Sequence, residues 1–153
     1  MTLDSASVWL ARLGVVGKSP VGPGTVATAV VGVPAAGLLA LAPNPWDVVI
    51  LGAIFFAACY ASDRAETALG KHDPGEIVID ELVGYLVAMV GMALSVKSLL
   101  IGFAAFRLFD IWKPWPCNLL NRAGKGGFWV VADDVAAGFY AHAVVWLALR
   151  LWP

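Results

Sequence analysis

Five carboxylates, Asp80 and Glu81, Asp110, and Asp133 and Asp134, are the side chains in this sequence whose types and spacing could do chemistry. They come from three separate stretches, each bordering a long apolar run. Brought together alone, like charges repel and raise one another's pKa values. A hard divalent cation removes that problem, and Mg2+ takes oxygen ligands from carboxylates and phosphates. Lys18, Arg107, Lys113 and Lys125 offer positive charge to an anionic substrate. Thr25, with the backbone N–H groups of a helix start behind it, is an anion site. Acids, cations and an oily border together point to a phosphorylated lipid.

Other phosphatase chemistries fit less well. Cys117 and Arg122 stand one residue too close for a cysteine phosphatase loop, and their neighbours are not a Gly-rich cradle. The only histidines are His72 and His142, and a DxD nucleophile motif is absent. Metal-assisted hydrolysis by clustered carboxylates remains. Attack by water and an aspartyl-phosphate on Asp80 or Asp134 are both open from sequence.

These residues need elements to hold them. In DPGEIVIDELVGY, residues 73–85, a helix opened by Pro74 would put Asp73, Glu76 and Asp80 on one face. Asp73 and Glu76 read equally well as a capping box. Asp80 and Glu81 lie past the first turn of such a helix, where negative charge is no longer rewarded. KSPVGPGT, residues 18–25, is a Gly/Pro loop delivering Thr25 as N-cap to the uncharged run 26–42. Pro43-Asn44-Pro45 forces a turn, and the chain returns through 46–61 to a helix stop at Gly70. A helix carrying Arg107 and Asp110 at i, i+3 ends before Pro114, and that pair reads equally as a local ion pair. Gly124, Gly126 and Gly127 surround Lys125 in a loop that reads as a turn or a fold over phosphate. One of Asp133 and Asp134 is the expected N-cap of the last apolar run, 135–152.

Composition sets the environment. The 153 residues are 60% hydrophobic and 14% charged, with mean hydropathy +0.80, against roughly a quarter charged in water-soluble domains. Membrane residence is the economical reading, because a soluble chain this apolar would expose large greasy patches. Net charge of −1 argues against nucleic-acid binding, and the two cysteines form no metal-knuckle spacing. The N-terminus lacks the layout of a cleaved signal peptide and reads as mature.

The expected architecture is all-α: a single domain over residues 1–153, a compact multi-helix bundle with about four to five apolar, membrane-embedded helices and the polar loops gathered on one face. Two hairpins and a final pass put residues 1–25, 62–81 and 107–134 on the same side. That side carries eight of the ten Lys and Arg, and ten of the eleven acids. The positive-inside rule makes it cytoplasmic.

KSPVGPGTVAT, DPGEIVIDELVGY, FRLFDIWKPWP and GKGGFWVVADDVAAGFYA, in this order and spacing, resemble the four signature blocks of the phosphatidylglycerophosphatase A family. The resemblance covers about residues 14–141. It departs mildly in having VVGKSP at the first block and Trp129 after the glycines. It implies a multi-pass phosphatase of the bacterial inner membrane, with its active site facing the cytoplasm. That enzyme is Mg2+-dependent and converts phosphatidylglycerophosphate to phosphatidylglycerol and phosphate. Matching motif positions are Pro23, Gly24 and Thr25; Asp80 and Glu81; Arg107, Asp110, Lys113 and Pro114; and Gly127, Asp133 and Asp134.

On this footing Asp80, Glu81, Asp133 and Asp134 are the expected metal ligands, and Asp80, Asp110, Asp134 and Lys113 the catalytic set. Thr25, Arg107, Lys113 and Lys125 are expected to hold phosphate; Glu76 and Asp63 are possible additional site residues. Its expected partner is the phospholipid substrate; the oligomeric state is not legible. A small ion or solute carrier and a non-catalytic anionic-lipid-binding scaffold are the readings from other classes.

Overall fold

The computed structural model describes residues 3–152, which are helical with no strand among them. Helix α1 (Leu3–Ala11) leads through a 3-10 turn (Val16–Lys18) into α2 (Pro23–Ala27). A π-helical turn (Thr28–Gly32) joins α2 to α3 (Val33–Leu39) without a break. Then follow α4 (Trp46–Leu69), α5 (Ile79–Met89), α6 (Val96–Trp112), α7 (Cys117–Ala123) and α8 (Gly127–Leu151).

Local chemistry explains the boundaries. Gly70 takes the left-handed conformation (φ 64°) that stops α4. Ser95 and Ser98 form a reciprocal capping box at the start of α6. At its other end Lys113 turns left-handed (φ 47°), because Pro114 bars the residue before it from continuing the helix. Gly126 has no side chain to cap α8. The carboxylates of α4 do so instead: Glu66 Oε2 accepts from Gly126 N at 3.0 Å and Asp63 Oδ1 from Gly127 N at 3.4 Å.

At the centre stands α5, in which every residue but Glu81 is buried. Tyr85, Leu86 and Phe106 anchor its core cluster. Small residues let the neighbouring helices close on it. A Cβ on Gly84 would lie 2.5 Å from the Phe106 ring and 2.6 Å from the Asp134 carbonyl, and one on Gly138 would strike the Gly84 carbonyl. This mutual glycine contact brings the backbones of α5 and α8 together, and with them the acids each helix carries. Gly84→Ala should therefore destabilise the protein, since overpacking against backbone costs about 1–3 kcal/mol and exceeds the ~1 kcal/mol that Ala gains over Gly within a helix. A lowered unfolding midpoint in detergent checks this; an unchanged or raised midpoint contradicts it.

The all-α bundle agrees with the sequence, but several local expectations do not survive. Pro74 does not open a helix. Residues 74–78 form a turn and an irregular link whose Val78 N–H donates to the Ala11 carbonyl at 2.9 Å, so α5 starts at Ile79. The Asp73–Glu76 capping box is accordingly not formed: Glu76 pairs with Arg12 at 2.6 Å. Thr25 is not an N-cap; Gly22 occupies that place with Pro23 following. Neither Asp133 nor Asp134 caps α8, which begins earlier, at Gly127. Among the described residues two helices, α4 and α8, rather than four or five, are long and apolar enough to cross a bilayer. The stretch Pro23–Leu39 is shorter, and the 11 residues of α5 reach only about 16 Å.

Candidate active site

Three helix ends meet at one face. The first turn of α5 supplies Asp80 and Glu81, the second turn of α8 Asp133 and Asp134, and the last turns of α6 Arg107, Asp110 and, at the C-cap, Lys113. Asp80, Glu81 and Asp134 each offer a carboxylate oxygen within 4.8 Å of the others. Arg107 Nη1 donates to Asp110 Oδ2 at 2.5 Å and lies 3.8 Å from Glu81 Oε1. Lys113 Nζ pairs with Asp133 and stands 3.9 Å from Asp110 Oδ1 and 4.0 Å from Asp134 Oδ1. Over Glu81 and Arg107 sits the start of α2, where Gly24 lies so close that a Cβ would overlap the Glu81 carboxylate.

Five carboxylates thus share two cations, and the bonds do not close. Glu81 Oε2 and Asp134 Oδ2 are buried without a hydrogen-bond partner, an arrangement that is costly unless something else satisfies them. Burial, then the neighbouring Glu81 charge, pushes the Asp80 pKa well above the ordinary carboxylate range. Burial, opposed by the Asp80 hydrogen bond and joined by Asp134 and Asp110, raises Glu81 to about 8. For Lys113 burial pulls downward, but Asp134 and Asp133 outweigh it, so the ammonium is held charged. The donor set suits a hard cation: all-oxygen, anionic and partly unsatisfied. An octahedral Mg2+ with ligands at about 2.1 Å puts its oxygens no more than about 4.2 Å apart, so three oxygens within 4.8 Å of one another need only a small shift to share one ion.

These pKa values predict a pH dependence of stability. In the absence of a divalent cation Glu81 ionises at about 4.5 when unfolded and about 8 when folded. The folded state therefore binds more protons across that interval, and stability falls as pH rises through it. The protonated Glu81 contribution is complete below about 4.5 and gone above about 8. Thermal midpoints in chelator should fall over this window, Mg2+ should flatten the fall, and Glu81→Gln should remove much of it. A chelated protein with a flat or rising profile there contradicts the assignment.

Not every expected site residue joins this cluster. Asp133, expected as a metal ligand, turns from the trio toward Lys113 and Asn121 Nδ2, the latter at 3.1 Å. Asp110 faces Arg107 and Lys113. Thr25 is exposed beside the Gly24 contact. Lys125 lines a separate polar cavity of about 390 Å3 with Lys71, His72 and Glu66. Asp63 caps α8, and Glu76 is bound to Arg12. The sequence reading missed Asn121 and Glu66. Asn121 sits in a polar block already marked for function, whereas nothing local announces Glu66 as a cap 60 residues away.

The sequence model of the phosphatidylglycerophosphatase A family matches residues 9–149. A Haemophilus influenzae protein named Phosphatidylglycerophosphatase A is 38% identical over 99 residues, which cover 64% of this chain and 60% of that relative. An Escherichia coli protein of the same name is 32% identical over 144 residues, 90% of this chain and 80% of the relative. A Bacteroides thetaiotaomicron protein provisionally named a phosphatidylinositol-3-phosphatase is 32% identical over 139 residues, 86% of each. No solved structure gives a significant match.

Proposed function

The chain belongs to the phosphatidylglycerophosphatase A family, and from that premise we propose that it hydrolyses phosphatidylglycerophosphate to phosphatidylglycerol and inorganic phosphate at the acidic face described above. The observation that carries this reading is the convergence of Asp80, Glu81 and Asp134, with two unpartnered buried oxygens, beside Arg107 and Lys113. Phosphoryl transfer asks for placement and charge more than for covalent chemistry, and this is an arrangement of placed charges.

Asp80, Glu81 and Asp134 are the residues that would hold Mg2+. The ion would supply polarisation of the phosphoryl oxygens and a lowered pKa for the attacking water. Lys113, held by Asp133, which Asn121 holds in turn, points its ammonium between Asp110 and Asp134 and neutralises charge on the transferred group. Arg107 does the same from the Glu81 side. Its grip on Asp110 Oδ2 leaves Oδ1 to take the proton of the attacking water. Thr25 offers its hydroxyl at the rim. Asp133 is a positioning residue, acting through Lys113.

The substrate would lie in a bilayer, and the surface supports embedding there. Most of the apolar length of α4 is left unburied by the rest of the protein. Exposed tryptophans mark two levels: Trp46, Trp146 and Trp152 at one end of the long helices, Trp9, Trp112 and Trp115 near the acidic end. Such girdles are characteristic of membrane interfaces. The excess of Lys and Arg at the acidic end supports a topology with that face on the cytoplasmic side of a bacterial inner membrane.

Phosphate release by the purified chain tests the proposal, with phosphatidylglycerophosphate and phosphatidylinositol 3-phosphate as parallel substrates. Release from the first, abolished by chelator and restored by Mg2+, is expected. A protein that releases nothing from it, or ignores chelation, ends the proposal. Single-turnover incorporation of labelled oxygen from water into phosphate, without a phosphorylated protein, is expected for direct attack.

A further inference from the structure

A groove of about 290 Å3 runs between the π-turn and α3 on one side and α6 on the other, lined by Ala29, Val33, Val96, Leu99, Leu100 and Phe103. Every lining side chain is apolar, and the groove is aligned with the acidic site. On α6 the residues Val96, Leu99, Leu100, Phe103 and Arg107 recur at helical spacing on one face. Phe103 is one turn, about 6 Å, below Arg107, and Val96 about 16 Å below it. On the opposite wall Ala29 and Val33 follow Thr25 at successive steps of four. The two walls run antiparallel, and both end at the site: Gly24 and Arg107 meet over Glu81.

The walls are also tied to each other through one residue of α5. The Tyr85 ring packs against Gly32 at the end of the π-turn, while its hydroxyl donates to the Leu99 carbonyl at 3.0 Å. Thr28 Oγ1 donates to the Gly24 carbonyl at 2.9 Å and fixes the upper end of the same wall. A π-turn inside a helix is frequently a functional feature, and here it forms part of the lining. At the far end Leu100 and Val96 are exposed, 63% and 75%, so the groove opens away from the site.

We propose that this groove seats one acyl chain of the lipid whose phosphate occupies the acidic site. The inference rests on reading that site as a lipid-phosphate site. A ligand with a phosphate at one end and hydrocarbon at the other matches the charged head and apolar trough in register. A helix of a second copy would satisfy the trough but leave the charged head unanswered.

The test is photolabelling of the full chain in detergent micelles by phosphatidylglycerophosphate carrying a diazirine in mid acyl chain. Label is expected in residues 29–33 and 96–103. Excess unlabelled phosphatidylglycerophosphate should compete it away; phosphatidylcholine should not. Leu100→Trp and, independently, Ala29→Leu should reduce it about tenfold, the scale of one misfitting side chain in an apolar pocket. Val49→Trp, an exposed position outside the lining, should not, and size-exclusion profiles confirm that the variants are folded. Label spread over the exposed faces of α4 and α8, equal competition by phosphatidylcholine, or indifference to both groove variants overturns the proposal. So does an unlabelled groove occupied by a second copy, seen as a dimer cross-linked through it. Phosphate release is scored separately: specific labelling without hydrolysis would remove the phosphatase reading and leave the groove assigned.

Discussion

Asp134→Asn is expected to lower kcat/KM for phosphate release by about a thousandfold or more, a loss typical of removing a group that helps place and neutralise the transferred phosphoryl. The exchange is isosteric, so shape is kept while the charge is lost and one acceptor oxygen becomes an amide donor. In the structure Asp134 is buried, its Oδ2 has no partner, and Lys113 stands 4.0 Å from Oδ1. A residue kept for stability alone would not be left so. Removing one of several crowded negative charges should hold or raise the thermal midpoint in chelator, because like-charge repulsion at a desolvated site is relieved. The stabilising effect of Mg2+ should shrink at the same time. Activity and stability moving in opposite directions mark a site that sacrifices stability for function. If Asp134→Asn keeps activity within about tenfold of the parent and still responds to Mg2+, Asp134 does not hold the ion.

Asp133 and Asp134 show how far the sequence could take this reading. Adjacent helical residues point about 100° apart, so two neighbouring acids cannot serve one point equally. The sequence places both beside an apolar run but does not say which faces α5. That is settled by the glycine contact between Gly84 and Gly138, which sets how α8 meets α5. It directs Asp134 to the trio and Asp133 to Lys113 and Asn121. Helix ends made by local chemistry were legible: Gly70 and Lys113-Pro114 stand where expected. Ends made by distant partners were not. The start of α8 depends on Asp63 and Glu66 of α4, so a reading limited to neighbouring residues places the cap too late. DPGEIVID contains the ingredients of a helix start, but Ile77 and Val78 are buried and Val78 is bonded to the end of α1. Tertiary burial overrode local capping there. Three charged stretches and a greasy remainder can be seen in the sequence; the partition of the acids between the carboxylate trio and the Lys113 ammonium requires the packing.

Gly24→Ala should reduce kcat/KM by about a hundredfold, the cost of misplacing site groups by roughly an ångström, with little loss of stability. Gly24 is buried at the start of α2, and a methyl there would overlap the Glu81 carboxylate and lie 3.0 Å from Arg107 Nη1. Two responses are open, and both harm the site. Either Glu81 withdraws from Asp80 and Asp134, or α2 lifts and carries Thr25 away from the rim. Neither breaks the core, since α2 is a short peripheral turn and its helical propensity gains from Ala by about 0.5–1 kcal/mol. Gly37 provides the comparison: it lies in α3, and a Cβ there meets nothing within 4 Å, so Gly37→Ala should leave activity as it is. The Mg2+ dependence separates the two responses. If Glu81 is displaced, the Mg2+ concentration for half activity rises; if α2 lifts, it stays and KM for the lipid rises. Full activity in Gly24→Ala would mean that the α2 start is not packed over Glu81 during turnover, and Thr25 would lose its basis as a phosphate contact.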